Sequence, residues 1–232
     1  MSLPAVPAFR SSDALIGARL AIPLALSSFV YGSVFGMLAR GKGMALAETA
    51  GMSATLTAGA AQFVVLELWA DPLPVALLVL TTVVVNVRFL LYGATLAPLL
   101  AGLTPLQRYG SAFFLYDETF ALAAGEMQRG GNRGALLLGS GLALYVGWVG
   151  GTLAGHLAGR LVADPAAWGL DFVYVAVFIA LLVGLRRGRQ DVWPWGVAAV
   201  VALVAERVFP GAWYIVLGGV AGSVAGALRG ID

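Results

Sequence analysis

Two stretches of this sequence set ionisable side chains inside runs that are otherwise apolar. The first is Val83-Val84-Val85-Asn86-Val87-Arg88-Phe89-Leu90-Leu91-Tyr92; the second is Phe113-Phe114-Leu115-Tyr116-Asp117-Glu118-Thr119-Phe120. Adjacent carboxylates in an apolar setting repel each other and lose hydration, and both effects favour the protonated form. Asp117 and Glu118 are therefore candidates for a proton relay, or for two wet acids at an interface. Arg88 can hold a carboxylate, either a substrate's or an acid's of its own chain, or it can reach toward an interface. A regular helix points Asn86 and Arg88 roughly 200° apart, so they share a face only if it is locally unwound. A third polar site, Gln62, lies among small residues in Ala58-Gly59-Ala60-Ala61-Gln62-Phe63, where a bend or an interhelical hydrogen bond is expected.

These side chains matter because of what surrounds them. Of 232 residues, 60% are apolar and only 11% are charged. A soluble domain carries about 25% charged residues. The composition excludes an ordinary soluble enzyme, a disordered chain and a nucleic-acid-binding domain, and leaves a polytopic membrane protein in a lipid bilayer. A charge near the bilayer centre costs about 2.5–3.5 kcal/mol on insertion scales, so it normally faces a partner or a cavity. There is no cysteine and one histidine, His156. Thiolate chemistry, Cys-based metal sites and a His-ligated cluster are excluded, and no cofactor is expected; neither G-x-x-x-x-G-K-[ST] nor a strand-associated G-x-G-x-x-G occurs, which argues against transport driven by ATP hydrolysis within this chain.

The fold class expected is all-α, a bundle of seven or eight transmembrane spans in one membrane domain over 1–232, after a short polar arm at 1–13. That arm lacks a signal peptide's pattern, so insertion is expected through the chain's own helices. Uncharged runs mark spans at Leu20–Ala39, Gly134–Gly155, Phe172–Leu185, Val192–Ala205 and Val208–Leu228. Pro72–Leu103 reads as one long helix or as one broken near Tyr92-Gly93 and Pro98. Thr49–Leu66 and Tyr109–Gly125 are weak and read as broken or re-entrant. With eight spans, Arg10, Arg129, Arg133, Arg186, Arg187, Arg189 and Arg229 share a side, which the positive-inside rule makes cytoplasmic. Arg40, Lys42, Arg108 and Arg160 fall opposite.

A repeat with halves 14–128 and 132–230 is suggested by weak matches. Gly32 and Gly36 match Gly147 and Gly151, and Pro74 and Asn86 match Pro194 and Glu206 at a slightly longer offset. Transporters are often built from such repeats. Glycines also recur every fourth residue at Gly147–Gly159 and Gly218–Gly230, giving helix faces suited to packing within the chain or to docking a second subunit.

The order of three segments resembles the AzlC family, the large subunit of bacterial branched-chain amino acid exporters. They are Gly51-Met52-Ser53 with Ala58 to Phe63; Asn86-Val87-Arg88-Phe89-Leu90-Leu91-Tyr92-Gly93; and Asp117-Glu118-Thr119-Phe120-Ala121. The resemblance covers most of residues 14–126. It implies a non-enzymatic transporter of the bacterial inner membrane that exports Leu, Ile, Val and sometimes Met, uses the proton gradient and works with a small hydrophobic AzlD-type partner. Gln62, Asn86, Arg88, Asp117 and Glu118 are carried over as a substrate or coupling-ion pathway. Two other classes compete. An intramembrane aspartyl hydrolase needs a second acid in a Gly-x-Gly-Asp setting, and Gly169-Leu170-Asp171 lacks its second glycine. A non-transporting membrane subunit would have little use for intramembrane charge.

Overall fold

A computed structural model describes residues 9–161, 188–209 and 213–229, together with Phe172, Ala176, Ile179 and Val183. Helices make up the regular structure among the described residues. They form α1 (Ser11–Leu20), α2 (Ile22–Gly41), α3 (Leu46–Thr55), α4 (Gly59–Glu67), α5 (Val75–Asn86), α6 (Arg88–Leu100), α7 (Pro105–Phe113), α8 (Asp117–Gln128), α9 (Leu136–Ala158), α10 (Val192–Val208) and α11 (Trp213–Leu228), with a short 3-10 turn at Arg189–Asp191. The expected span Phe172–Leu185, the acids Asp164 and Asp171, and Arg186 and Arg187 fall in or across the stretch outside the described residues.

Three stretches are long and apolar enough to cross a membrane: Ile22–Gly41, Val75–Leu100 and Leu136–Ala158. The remaining described runs are shorter or interrupted, so span length alone does not count to seven or eight. α10 has 17 residues and α11 has 16. The two weak runs are each two short helices. One is interrupted at Leu56–Ala58, where Leu56 is extended (φ −98°, ψ 93°). The other is interrupted at Phe114–Tyr116, where Tyr116 is extended (φ −123°, ψ 167°). Of the two readings of the long run, the single long helix is the one seen: Val75–Leu100 is one apolar stretch, Tyr92-Gly93 and Pro98 lie inside α6, and the helix pattern is interrupted only at Val87. Val87 keeps helical angles (φ −51°, ψ −33°), so the chain is not unwound between Asn86 and Arg88. Pro98 is tolerated two residues before the helix ends at Leu100.

The chain divides into two compact units. One comprises 1–62 and 87–164; the other comprises 63–86 and 165–232. In the first, α9 is the central element and is packed by α1, α2, α3, α7 and α8. Its glycines let α2 approach main chain to main chain. Gly147, Gly151 and Gly155 face the carbonyls of Ala25, Phe29 and Ser33, while Gly32 and Gly36 of α2 face those of Trp148 and Thr152. A Cβ at any of these positions would collide with backbone. Because partners advance together along both helices, α2 and α9 run parallel. The contacts are also reciprocal: one shift of 119 residues carries Phe29 onto Trp148, Gly32 onto Gly151, Ser33 onto Thr152 and Gly36 onto Gly155.

In the second unit α10 and α11 pack antiparallel. Gly218 lies against Ala198 and Ala202, and Gly222 against Ala198 and Pro194. α5 packs on α11, with Val84 approaching Gly219. The described glycines of both ladders therefore pack against helices of this chain. Large apolar side chains point outward along the helices, including Leu26, Val79, Leu90, Val146 and Val204. A membrane protein shows this distribution, because lipid replaces water around it.

Candidate functional site

Arg88 opens α6 and Asp117 opens α8, and the packing of these two helices brings the side chains together. Nη2 of Arg88 lies 3.0 Å from Oδ2 of Asp117. Tyr92, one turn along α6 from Arg88, donates its hydroxyl to the other oxygen, Oδ1, at 2.9 Å. Asp117 is thus held at both oxygens by one helix.

Aromatic rings set these groups in place. Tyr92 stacks on Phe120 at 4.0 Å with 9° between the planes, and Phe89 meets Tyr92 edge-on at 5.6 Å. The Arg88 guanidinium sits 5.4 Å from the Phe89 ring centre. Phe89, Tyr92 and Phe120 back onto a core of Leu96, Leu99, Leu100, Leu115 and Leu137. The start of α8 is fixed locally: Thr119 Oγ1 accepts the Tyr116 amide at 2.8 Å and reaches back to the Tyr116 carbonyl.

The pair itself stays half-open, with side chains 26% (Arg88) and 37% (Asp117) exposed. The two side chains meet through this single nitrogen–oxygen contact. Nε of Arg88 is enclosed and has no hydrogen-bond partner among the described residues, and the same holds for Oδ1 of Asn86. Glu118 follows Asp117 but is exposed on the chain's own surface, so the two adjacent acids have different surroundings.

Gln62 lies in a different constellation. It is fully buried and clasps the interruption between α3 and α4. Its Oε1 accepts from Ser53 Oγ at 3.0 Å and from Trp148 Nε1 at 3.1 Å, and its Nε2 donates to the Leu56 carbonyl. Ser53 and Thr152 share a further hydrogen bond at 3.0 Å, and the Tyr145 hydroxyl donates to the Ala54 carbonyl at 3.1 Å. Every polar atom of the Gln62 side chain is used, as buried polar groups require. Trp148, Thr152 and Tyr145 carry no signal in the sequence that ties them to Gln62; only the packing of α9 against the interruption reveals it. Tyr92 was legible as part of its segment, but its hydrogen bond to Asp117 was not.

A second ion pair lies at the other end of α8. Arg133 grips buried Glu126 with Nε at 2.6 Å and Nη2 at 2.7 Å. The loop turns back through Gly130 at φ +75° and brings Gly131 against the Glu126 carboxylate. Hydrogen bonds from Arg133 hold the Glu126 carboxyl below the usual carboxylate range, against the opposing effect of burial. An apolar groove between α1 and α9, lined by Leu15, Ala18, Leu142 and Val146 among others, includes none of these charged residues.

A family model described as AzlC protein matches residues 23–162. An uncharacterized membrane protein of Archaeoglobus fulgidus is 32% identical over 75% of this chain and 76% of its own length. Inner membrane protein YgaZ of Escherichia coli is 28% identical, covering 80% of this chain and 78% of its own. An uncharacterized membrane protein of Helicobacter pylori strain J99 is 28% identical over 79% of this chain and 81% of its own. No solved structure matches. The family match takes in α2 to α9, including the Arg88–Asp117 pair and the Gln62 clasp, and the chain is a membrane protein that belongs to the AzlC family.

Proposed function

We propose that this chain is the large subunit of a proton-coupled exporter of small apolar amino acids, Leu, Ile, Val and Met, in a bacterial inner membrane. It spans the membrane seven or eight times and works with a small hydrophobic AzlD-type subunit. The observation that carries this reading is the half-open Arg88–Asp117 pair, set against Phe89, Tyr92 and Phe120. An apolar amino acid needs a cation for its carboxylate, an anion for its ammonium group and an apolar wall for its side chain. Asn86 and Glu118 flank the charged pair in sequence, and with Gln62 they are the remaining residues assigned to the pathway. A neutral amino acid carries no net charge, so uphill export draws on a second ion, and an acid of the Asp117–Glu118 pair carries that proton. Reading the chain as two repeat halves, 14–128 and 132–230, accords with the reciprocal α2–α9 contacts. The ladder glycines pack within the chain, which moves the expected partner surface to other faces.

The test is uptake of radiolabelled leucine into proteoliposomes, with and without the co-expressed small subunit. Leucine should accumulate under a pH gradient and fail to do so after Arg88→Ala. Accumulation driven by a sodium gradient alone would overturn proton coupling. Absence of transport for all four amino acids, with the partner present, would overturn the exporter reading.

A further inference from the structure

We infer that a zwitterionic α-amino acid binds by inserting itself into the Arg88–Asp117 ion pair, and that a proton on Asp117 expels it. This rests on the exporter reading above and supplies the step by which proton and substrate exclude one another.

The geometry separates two ion pairs of the same chain. Arg133 engages both oxygens of a buried Glu126, which leaves neither oxygen unpaired. Arg88 instead makes one contact with Asp117, through Nη2 to Oδ2, and its Nε–H is enclosed and unused. An arginine with a spare donor can take a carboxylate in the forked arrangement that guanidinium favours, the enclosed Nε–H being reached as the pair parts. Asp117 does not lose its place when this happens, because Tyr92 still holds Oδ1. Only Oδ2 is freed, and a freed carboxylate oxygen is a suitable acceptor for an α-ammonium group. The ligand thereby reproduces both halves of the pair it parts, its carboxylate replacing Asp117 on Arg88 and its ammonium replacing Arg88 on Asp117. Phe89 and Phe120 offer an apolar surface to its side chain. Tyr92 is the positioning residue.

The proton balance follows. Bound zwitterion keeps Asp117 ionised. A proton taken from water by Oδ2 removes the acceptor for the ammonium group, and the ligand leaves; loss of that proton to water on the other side restores the pair or admits a new ligand. The titratable neighbours are Arg88 and Tyr92 from α6, and Tyr116 and Glu118 beside Asp117; Tyr145 of α9, which packs on α8, interacts with Tyr116. By linkage, a ligand that requires the ionised acid releases protons on binding and binds less tightly as pH falls.

Calorimetric titration of the full chain with its small subunit in lipid nanodiscs tests this, using leucine at several pH values and in buffers of different ionisation enthalpy. Leucine should bind with proton release and weaken on acidification. 4-Methylpentanoate and 3-methylbutylamine, each bearing one of the two charges, should bind about tenfold or more weakly. Asp117→Asn should abolish the pH dependence and lower leucine affinity. Leucine binding that does not vary with pH, or 4-methylpentanoate binding as well as leucine, would overturn the insertion while leaving the exporter reading intact. The two analogues probe the wild-type chain, so the result does not hang on the variant's folding. Failure of all four amino acids to bind would overturn the exporter reading and this inference with it.

Discussion

Arg133 holds both oxygens of Glu126, at 2.6 and 2.7 Å, and ties the end of α8 to the loop that leads into α9. Glu126 is almost wholly enclosed, whereas Arg133 is 38% exposed. Because the carboxyl is held below its ordinary range, its contribution is fully present above the unfolded value of about 4.3 and disappears as pH falls through the lower folded value. The detergent-solubilised protein should therefore lose thermal stability below about pH 4, and Glu126→Gln should flatten that loss. The substitution should cost about 1.5–3 kcal/mol at neutral pH, as expected when a charge-assisted hydrogen bond is removed. A melting profile identical to wild type across this range would show that the pair contributes nothing.

Gln62→Leu should lower thermal stability by about 1–3 kcal/mol for each buried group left unpaired, chiefly Trp148 Nε1 and the Leu56 carbonyl. Differential scanning fluorimetry in detergent reads the effect. An unchanged melting temperature would mean that the interruption between α3 and α4 is held by other contacts.

Arg88→Ala should abolish leucine export while leaving the amount of inserted protein near wild type, since the pair is half-open and apolar packing holds α6 against α8. Western blotting of washed membranes beside the transport assay separates the two. Wild-type export by this variant would leave Arg88 a structural residue.

The parallel course of α2 and α9 fixes where their ends emerge. Single cysteines at Gly41 and Arg160 should label from the same side of the membrane, and one at Gly188 from the opposite, cytoplasmic side. The chain has no cysteine of its own, so an impermeant maleimide gives a clean readout. Labelling of position 188 from outside would refute the orientation, and opposite labelling of 41 and 160 would refute the parallel arrangement.

The helical membrane class was legible from composition, and the two weak runs were legible as interrupted because Gly, Ser and Thr crowd one and acids sit inside the other. Arg88 and Asp117 stood out because charge in an apolar run is costly. Which acid Arg88 chooses was not legible. Asp117 and Glu118 are neighbours in sequence, and only the packing of α6 against α8 decides between them. Whether the long run is one helix or broken near Tyr92-Gly93 and Pro98 stayed open in the sequence, because Gly and Pro are strong breakers in isolation; both lie inside α6, Pro98 two residues before its end. The register of the glycine matches was also beyond sequence. Glycines recurring every fourth residue match one another equally well when slid by one step, and only the contacts pair Gly32 with Gly151 rather than with Gly147.

The reciprocal seam gives any experiment on it a built-in replicate. Gly32→Ala and Gly151→Ala press the same methyl group into equivalent carbonyls, those of Trp148 and Phe29, from opposite sides of one contact. Each should cost about 1–3 kcal/mol, as overpacking does. A difference between their melting temperatures would then measure how far the surroundings of α2 and α9 have diverged, independently of the methyl group itself.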